Sequence, residues 1–184
     1  MVINEKTLVR QIKETYKSYG YSVAVRDGRM MLTNGFWLAN IDTDNVPSEL
    51  LGLLAEHIRD VPKEGTAYKV IKDTDGPYVQ HRILEEAIAP LKQMAGEKEA
   101  GGMYMMRRSI LTLGGMQLWQ APEGSAMYMI DPRYAALFED HNEVVRLGNG
   151  IYAEGNISEL WVLRVTEGEL VEKINHLEKI QWVK

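Results

Sequence analysis

The sequence predicts an α+β protein of antiparallel sheet in which a helix followed by a three-stranded meander occurs twice. Three observations carry that expectation. In the stretch Arg26 to Asp42, RDGRMMLTNGFWLANID, the pairs Asp27-Gly28 and Asn34-Gly35 separate three apolar runs. An Asp-Gly or Asn-Gly pair so placed is a strong hairpin signal, because tight primed turns need positive φ, which Gly adopts without steric cost and Asp or Asn tolerates. A fainter copy lies downstream: Leu32-Thr33 with Gly35 recurs as Leu111-Thr112 with Gly114 in RSILTLGGMQLWQA, and Leu38 meets Leu118 after a one-residue insertion. Each copy is followed by a Pro-opened helix, VPSELLGLLAEH with Pro47 and DPRYAALFEDH with Pro132, and each helix closes on a carboxylate and a histidine, Glu56-His57 and Asp140-His141.

In chain order, Asn4 to Tyr19 reads as the first helix, with Asn4 or Thr7 as the cap and Gly20 as its stop. Leu8, Val9, Ile12, Tyr16 and Tyr19 share one face, while Lys6, Arg10, Lys13 and Lys17 form a basic stripe beside it. Tyr21, Val23 and Val25 alternate with polar or small residues as a half-buried strand; Met30 to Thr33 and Phe36 to Ile41 complete the meander. Pro47 to Ile58 is a short buried helix. Ala67 to Ile71 is a strand, and Lys72 to Pro77, KDTDGP, reads as the linker between halves, giving parts 1–77 and 78–184. A third helix spans Val79 to Ala95 with Pro90 inside it, which predicts a kink or an early end. GEKEAGG reads as a solvated loop, MYMMRRSI and LTLGGMQLWQ as hairpin strands, and Ala126 to Ile130 as another strand. Pro132 to Asp140 is the fourth helix. Glu143 to Leu147, Gly150 to Ala153 and Leu160 to Val165 are three more strands, and Glu169 to Ile180 is a closing helix.

With 184 residues, 45% hydrophobic and 26% charged, the chain can build a sizeable core without staples. Cysteine is absent, so thiol catalysis, disulfides and Cys-based metal sites are excluded. No apolar run approaches the roughly 18 residues that span a bilayer, and the expectation is a cytoplasmic protein that does not engage membranes. The net charge of −5 argues against indiscriminate binding to polyanions but leaves a local basic patch open.

No catalytic motif emerges, and no cofactor is expected. Gly148, Gly150 and Ala153 match G-x-G-x-x-A, yet a short strand follows where a phosphate-binding helix must begin. The DTDN and DTDG runs lack the Gly and Glu that complete a calcium loop. Glu139, Asp140, His141 and Glu143 form the densest titratable cluster, for which a metal or acid/base role is the alternative to a helix C-terminus that welcomes His. Ten Met residues read as gap fillers in the core or as an adaptable protein-binding surface.

The stretch MIDPRYAALFEDHNEVVRLGNGIYAEGNISELWVLRV resembles the closing half-repeat of the DNA polymerase sliding clamp family, and RDGRMMLTNGFWLANID is similar to the strand pairs of a clamp half-domain. That resemblance implies a clamp-like fold, assembly of copies into a ring or partial ring, contact with double-stranded DNA, and tethering of replication proteins without chemistry of its own. A stand-alone protein of this kind would be a replication accessory or a mobile-element factor. Carried onto this chain, the DNA-contacting role falls on Lys6, Arg10, Lys13 and Lys17, with Lys92, Arg107 and Arg108 behind them. Two other readings stand beside it: a metal- or acid/base-dependent hydrolase using Glu139 to His141, and a module that binds other proteins through Met and aromatic residues.

Overall fold

The computed structural model describes residues 1–122, 127–138 and 141–165. Helix α1 (Glu5–Tyr16) opens on Asn4, whose side chain accepts a hydrogen bond from the Thr7 amide at 2.9 Å and so satisfies one of the helix's orphan donors. Beyond it the chain must turn sharply beneath a neighbouring strand. Gly20 makes that turn at φ +80°, and a Cβ there would lie 2.4 Å from the Val70 carbonyl oxygen.

Three strands follow as expected: β1 (Tyr21–Arg26), β2 (Arg29–Thr33) and β3 (Trp37–Asp42). Asp27 and Gly28, at φ 52° and 70°, make the primed turn of the first hairpin, with Arg26 paired to Arg29. The second connection is longer than the Asn34-Gly35 signal implies. Thr33 pairs with Leu38, and Asn34 to Phe36 loop out before β3 begins at Trp37, so Phe36 sits in that loop instead of in the strand.

Next come a 3₁₀ turn (Thr43–Asn45), α2 (Ser48–Ile58), β4 (Ala67–Asp73) and β5 (Gly76–His81). Lys72 to Pro77, read above as a linker, is the tip of the β4–β5 hairpin, with Asp73 paired to Gly76. The expected helix from Val79 is likewise corrected: Val79 to His81 belong to β5, and the helical stretch is broken into α3 (Leu84–Ala87) and α4 (Ala89–Ala100). Pro90 stands in the first turn of α4, where its missing amide costs nothing, and the helix continues through Glu97, Lys98 and Glu99, which sequence reading placed in a loop.

The second part comprises β6 (Met105–Leu113), β7 (Met116–Gln120), β8 (Met127–Ile130), α5 (Pro132–Ala135) running into a 3₁₀ turn (Ala136–Phe138), then β9 (Glu143–Leu147), β10 (Gly150–Glu154) and β11 (Ser158–Leu163). The expected closing helix lies outside the described residues. The eleven strands of the described residues join one antiparallel sheet in the order β5-β4-β1-β2-β3-β11-β10-β9-β6-β7-β8.

Helices cover both faces of this sheet. On one, α1, α2 and the α5 segment pack on Val23, Val25, Leu32, Ala39, Val144, Ile151 and Leu160. On the other, α3 and α4 bring Ala87, Ile88 and Met94 against Ala24, Met31, Leu38, Tyr152 and Trp161. Hence β1 is buried on both faces, and its intervening Ala24 is a core residue instead of a solvent-facing one.

Two helix-then-meander units stand out, α1 with β1–β3 and the α5 segment with β9–β11, joined where β3 pairs with β11. The sequence echo matched other segments, the β2–β3 hairpin with the β6–β7 hairpin. An internal duplication is therefore not shown by this arrangement.

Candidate functional site

The basic stripe of α1 is formed as the helical spacing requires. Lys6, Arg10, Lys13 and Lys17 are all exposed while Leu8, Val9, Ile12 and Thr15 are buried beneath them. From Lys6 to Lys17 the ridge runs roughly 16 Å at the α-helical rise. Among the described residues Lys13 alone of the four has an ion pair, with Glu49 of α2 at 3.4 Å, and both side chains are more than half exposed. Such a pair is weak and easily exchanged for another anion. Glu5 and Glu14 share the helix surface and dilute the stripe.

The other cations expected beside it go elsewhere. Lys92 lies on α4, across the sheet from α1, and is paired with Glu85. Arg107 and Arg108 are adjacent in β6, so they point to opposite faces. Arg107 pairs with Glu143 at 3.1 Å, and Arg108 shares the α1 side with buried Met106. The seven residues do not form one surface.

At the C-terminal end of the ridge lies a feature that sequence reading missed. A cleft of about 560 Å³ opens between the β2–β3 loop, the start of α5, the end of β11 and the start of β7, lined by Tyr19, Phe36, Tyr134, Asp131, Arg133 and Leu163 among others. Its size falls within the usual range for ligand pockets. Tyr134 is its buried floor, and Tyr19 and Phe36 are its half-exposed walls. Phe36 lies nearly parallel to Tyr134, at 5.9 Å between centroids and 14°, and Tyr19 meets Phe36 edge-on.

Each ring is fixed. Asn34 Oδ1 accepts from the amides of Phe36 (2.9 Å) and Trp37 (3.2 Å), and the Phe36 carbonyl accepts from the Leu163 amide at 2.9 Å. The Tyr19 and Tyr134 hydroxyls hydrogen-bond each other at 3.0 Å, and Asn34 Nδ2 donates to Tyr19 at 3.2 Å. Burial, then the Tyr19 hydroxyl, pushes the Tyr134 phenol well above its ordinary pKa, so it stays protonated. Arg133 rests over the Tyr134 ring at 5.5 Å and is clamped by Asp131, which accepts from Nε and Nη2. Hydrogen bonding and charge hold Asp131 below the usual carboxylate range against the opposing effect of burial.

The candidate catalytic cluster is not assembled among the described residues. Glu139 and Asp140 lie outside them, His141 is exposed, and the Glu143 carboxylate is engaged by Arg107. No group of His, Asp and Glu among the described residues could hold a metal ion. The G-x-G of Gly148 and Gly150 is the β9–β10 turn, with Leu147 paired to Gly150. Gly150 is required there because a Cβ would lie 2.4 Å from the Val162 carbonyl oxygen and 2.6 Å from the Trp161 indole nitrogen. Half of the ten methionines that the sequence flagged are core: Met30, Met31, Met94, Met106 and Met129 are buried, Met1, Met116 and Met127 are partly buried, and Met103 and Met105 are exposed. No helix among the described residues is long and apolar enough to cross a membrane.

Comparison with protein families gives no match, and comparison with curated proteins gives none either. Among solved structures the chain is weakly similar to a DNA polymerase III subunit beta sliding clamp from Bartonella birtlesii, with 8% identity over 92% of this chain and a TM-score of 0.33. The match spans 66% of that clamp chain. A superposition this loose is a weak fold-level resemblance and carries neither topology nor activity across.

Proposed function

We propose that the protein is a non-enzymatic binding protein that engages the backbone of double-stranded DNA through the exposed ridge of α1, without reading sequence. The observation that supports this is the ridge itself: Lys6, Arg10 and Lys17 are exposed and have no ion pair among the described residues, and Lys13 is held only by an exposed partner. Cations in a row on a rigid helix displace condensed counterions from a duplex, which yields affinity that depends steeply on salt and little on sequence. A setting in DNA replication, as an accessory or mobile-element factor, comes from the sequence resemblance to sliding clamps.

The test is fluorescence anisotropy with a blunt duplex. Four phosphate contacts give a slope of log affinity against log salt of about −3.6, a fall of roughly 100-fold between about 50 and 200 mM. Removing Arg10 and Lys17 together reduces that slope by about 2. Binding that is absent or indifferent to salt overturns the reading.

A second reading has its own observation. Along β6 and its approach Met103, Met105, Ile110 and Leu111 are exposed, Ile110 at 99%. Apolar residues gathered on one strand suit a protein partner, including a further copy of this chain. Sedimentation that shows a concentration-dependent dimer, lost in Ile110→Ser with Met105→Ser, supports that reading; a monomer at all concentrations removes the copy as partner.

A further inference from the structure

We propose that the aromatic cleft at the end of α1 receives an unpaired nucleobase, so that the preferred ligand is nucleic acid with a single-stranded end and not a continuous duplex. This rests on the α1 reading for its backbone contacts, and it adds a second kind of contact at a defined place. Three features of the cleft point to a base.

The first is geometry. Lys17 closes the basic ridge, and Tyr19, two residues on, is already a wall of the cleft. The α5 segment runs beside α1 in the opposite sense, with Tyr19 against Tyr134 and the Asn4 amide donating to the Leu137 carbonyl at 2.8 Å. The cleft therefore adjoins the C-terminal end of the helix that carries the ridge, within reach of a strand whose phosphates follow it.

The second is the state of the rings. An exposed Phe on a loop is ordinarily mobile, but Phe36 has both its amide and its carbonyl tied down, and Tyr19 is fixed through its hydroxyl. The platform is ordered before any ligand arrives, so stacking does not have to bear the cost of immobilising it. Stacking on aromatic side chains is tolerant of sequence, in keeping with a ridge that reads none.

The third is charge. Arg133 lies at the rim, with Nε and Nη2 committed to Asp131 and Nη1 without a hydrogen-bond partner among the described residues. Its guanidinium carbon lies 5.5 Å from the centre of the Tyr134 ring, and a clamped guanidinium with a spare donor suits a phosphate oxygen or the edge of a base. An apolar peptide would fill the same rings but would gain nothing from the cations beside them.

The experiment compares three fluorescent probes: a blunt duplex, the same duplex with an overhang of about four thymidines, and a single-stranded thymidine oligomer of about ten. The overhang is expected to bind about tenfold tighter than the blunt duplex. Phe36→Ala removes that gain and leaves blunt-duplex affinity unchanged, Phe36→Tyr restores it, and Arg10→Ala weakens both duplexes alike. Thermal melting of each variant checks that this exposed position leaves the fold intact. An overhang that brings no gain, or a gain that survives Phe36→Ala, overturns the cleft while the α1 reading stands. If the single strand binds in a Phe36-dependent way and the blunt duplex does not bind at all, the cleft stands and the duplex reading falls. If no probe binds, both are wrong.

Discussion

Lys98→Met tests what holds α4 to the sheet. Lys98 Nζ lies 2.7 Å from Glu159 Oε1 and 3.4 Å from Glu154 Oε2, and 4.4 Å from the centre of the Tyr152 ring. Asn40 Nδ2 donates to Glu159 Oε2 at 2.8 Å, and the single Tyr152 hydroxyl proton is shared between Glu154 (2.7 Å) and Glu159 (3.0 Å). The Glu159 side chain is only 13% exposed. Burial alone would push its carboxyl up; the hydrogen bonds from Lys98 and Asn40 and the charge of Lys98 outweigh this and hold it below the usual value. Removing one partner of a buried pair costs about 3 to 5 kcal/mol. Here Asn40 and Tyr152 remain and Lys98 is a quarter exposed, so about 2 kcal/mol is the reasoned figure, or roughly 4 to 8 °C in melting temperature for a chain of this size. Urea denaturation at neutral pH measures it. The sign with pH is fixed as well: a carboxyl depressed in the folded state stabilises above its unfolded value near pH 4.5 and loses that contribution as pH falls further. Lys98→Met must flatten that acid limb. A loss below about 0.5 kcal/mol, within the scatter of surface substitutions, would refute the coupling.

Three other perturbations follow from single contacts. His57 is buried, stacked on Tyr16 at 3.9 Å with Nδ1 3.0 Å from the Tyr21 hydroxyl, and burial lowers its pKa against the smaller opposing pull of Glu56. The unfolded chain therefore binds the proton first, so stability declines as pH falls through about 6.5 toward the folded value, and His57→Phe abolishes that part of the urea-midpoint profile. Gly150→Ala drives a Cβ to 2.4 Å from backbone that cannot retreat, which costs about 2 to 3 kcal/mol by denaturation. Met106→Ala empties a fully buried site and costs about 2 to 4 kcal/mol, whereas Met105→Ala, at a half-exposed position one residue away, stays within about 0.5 kcal/mol.

Turn chemistry made much of the fold legible. Asp27-Gly28 and Gly114-Gly115 both adopt the positive φ that a primed turn requires, and Asn4 caps the helix it precedes. What stayed hidden depended on partners distant in sequence. The late start of the third helix could not be read from a continuous apolar pattern, since Val79 pairs with Val70 in a strand that only the sheet reveals, whereas Pro90 did signal the break that separates α3 from α4. Phe36 reads as strand by propensity, and it is the Asn34 side chain, by capturing two amides, that lifts it out of the ladder and into the cleft. The basic stripe was legible because helical spacing alone sets it. Its suggested companions were not, because strand alternation separates Arg107 from Arg108 and the sheet itself stands between α1 and Lys92.

Which cations are committed matters more than how many there are. Lys92, Arg107 and Arg133 each have a carboxylate close by, and Lys13 shares one that is itself exposed. Glu49 therefore acts as a brake on the ridge: it adds a negative charge within reach of any phosphate and occupies the third cation of the row. Glu49→Gln keeps the side chain's size and removes both effects. With side chains this exposed the ion pair adds little to stability, so melting should be unchanged within about 0.5 kcal/mol. One charge at roughly 10 Å in screened water changes the energy of a neighbouring phosphate by a few tenths of a kcal/mol, and Lys13 is freed besides, so duplex affinity near 0.1 M salt should rise about two- to threefold. Lys13→Gln in the Glu49→Gln background should cancel the part due to the freed cation. If Glu49→Gln leaves affinity unchanged while Arg10→Ala lowers it, the duplex runs along the α5 side of the helix and Lys13 is not a contact. If neither moves it, the ridge is a solvated surface and the nucleic acid, if bound, is held elsewhere.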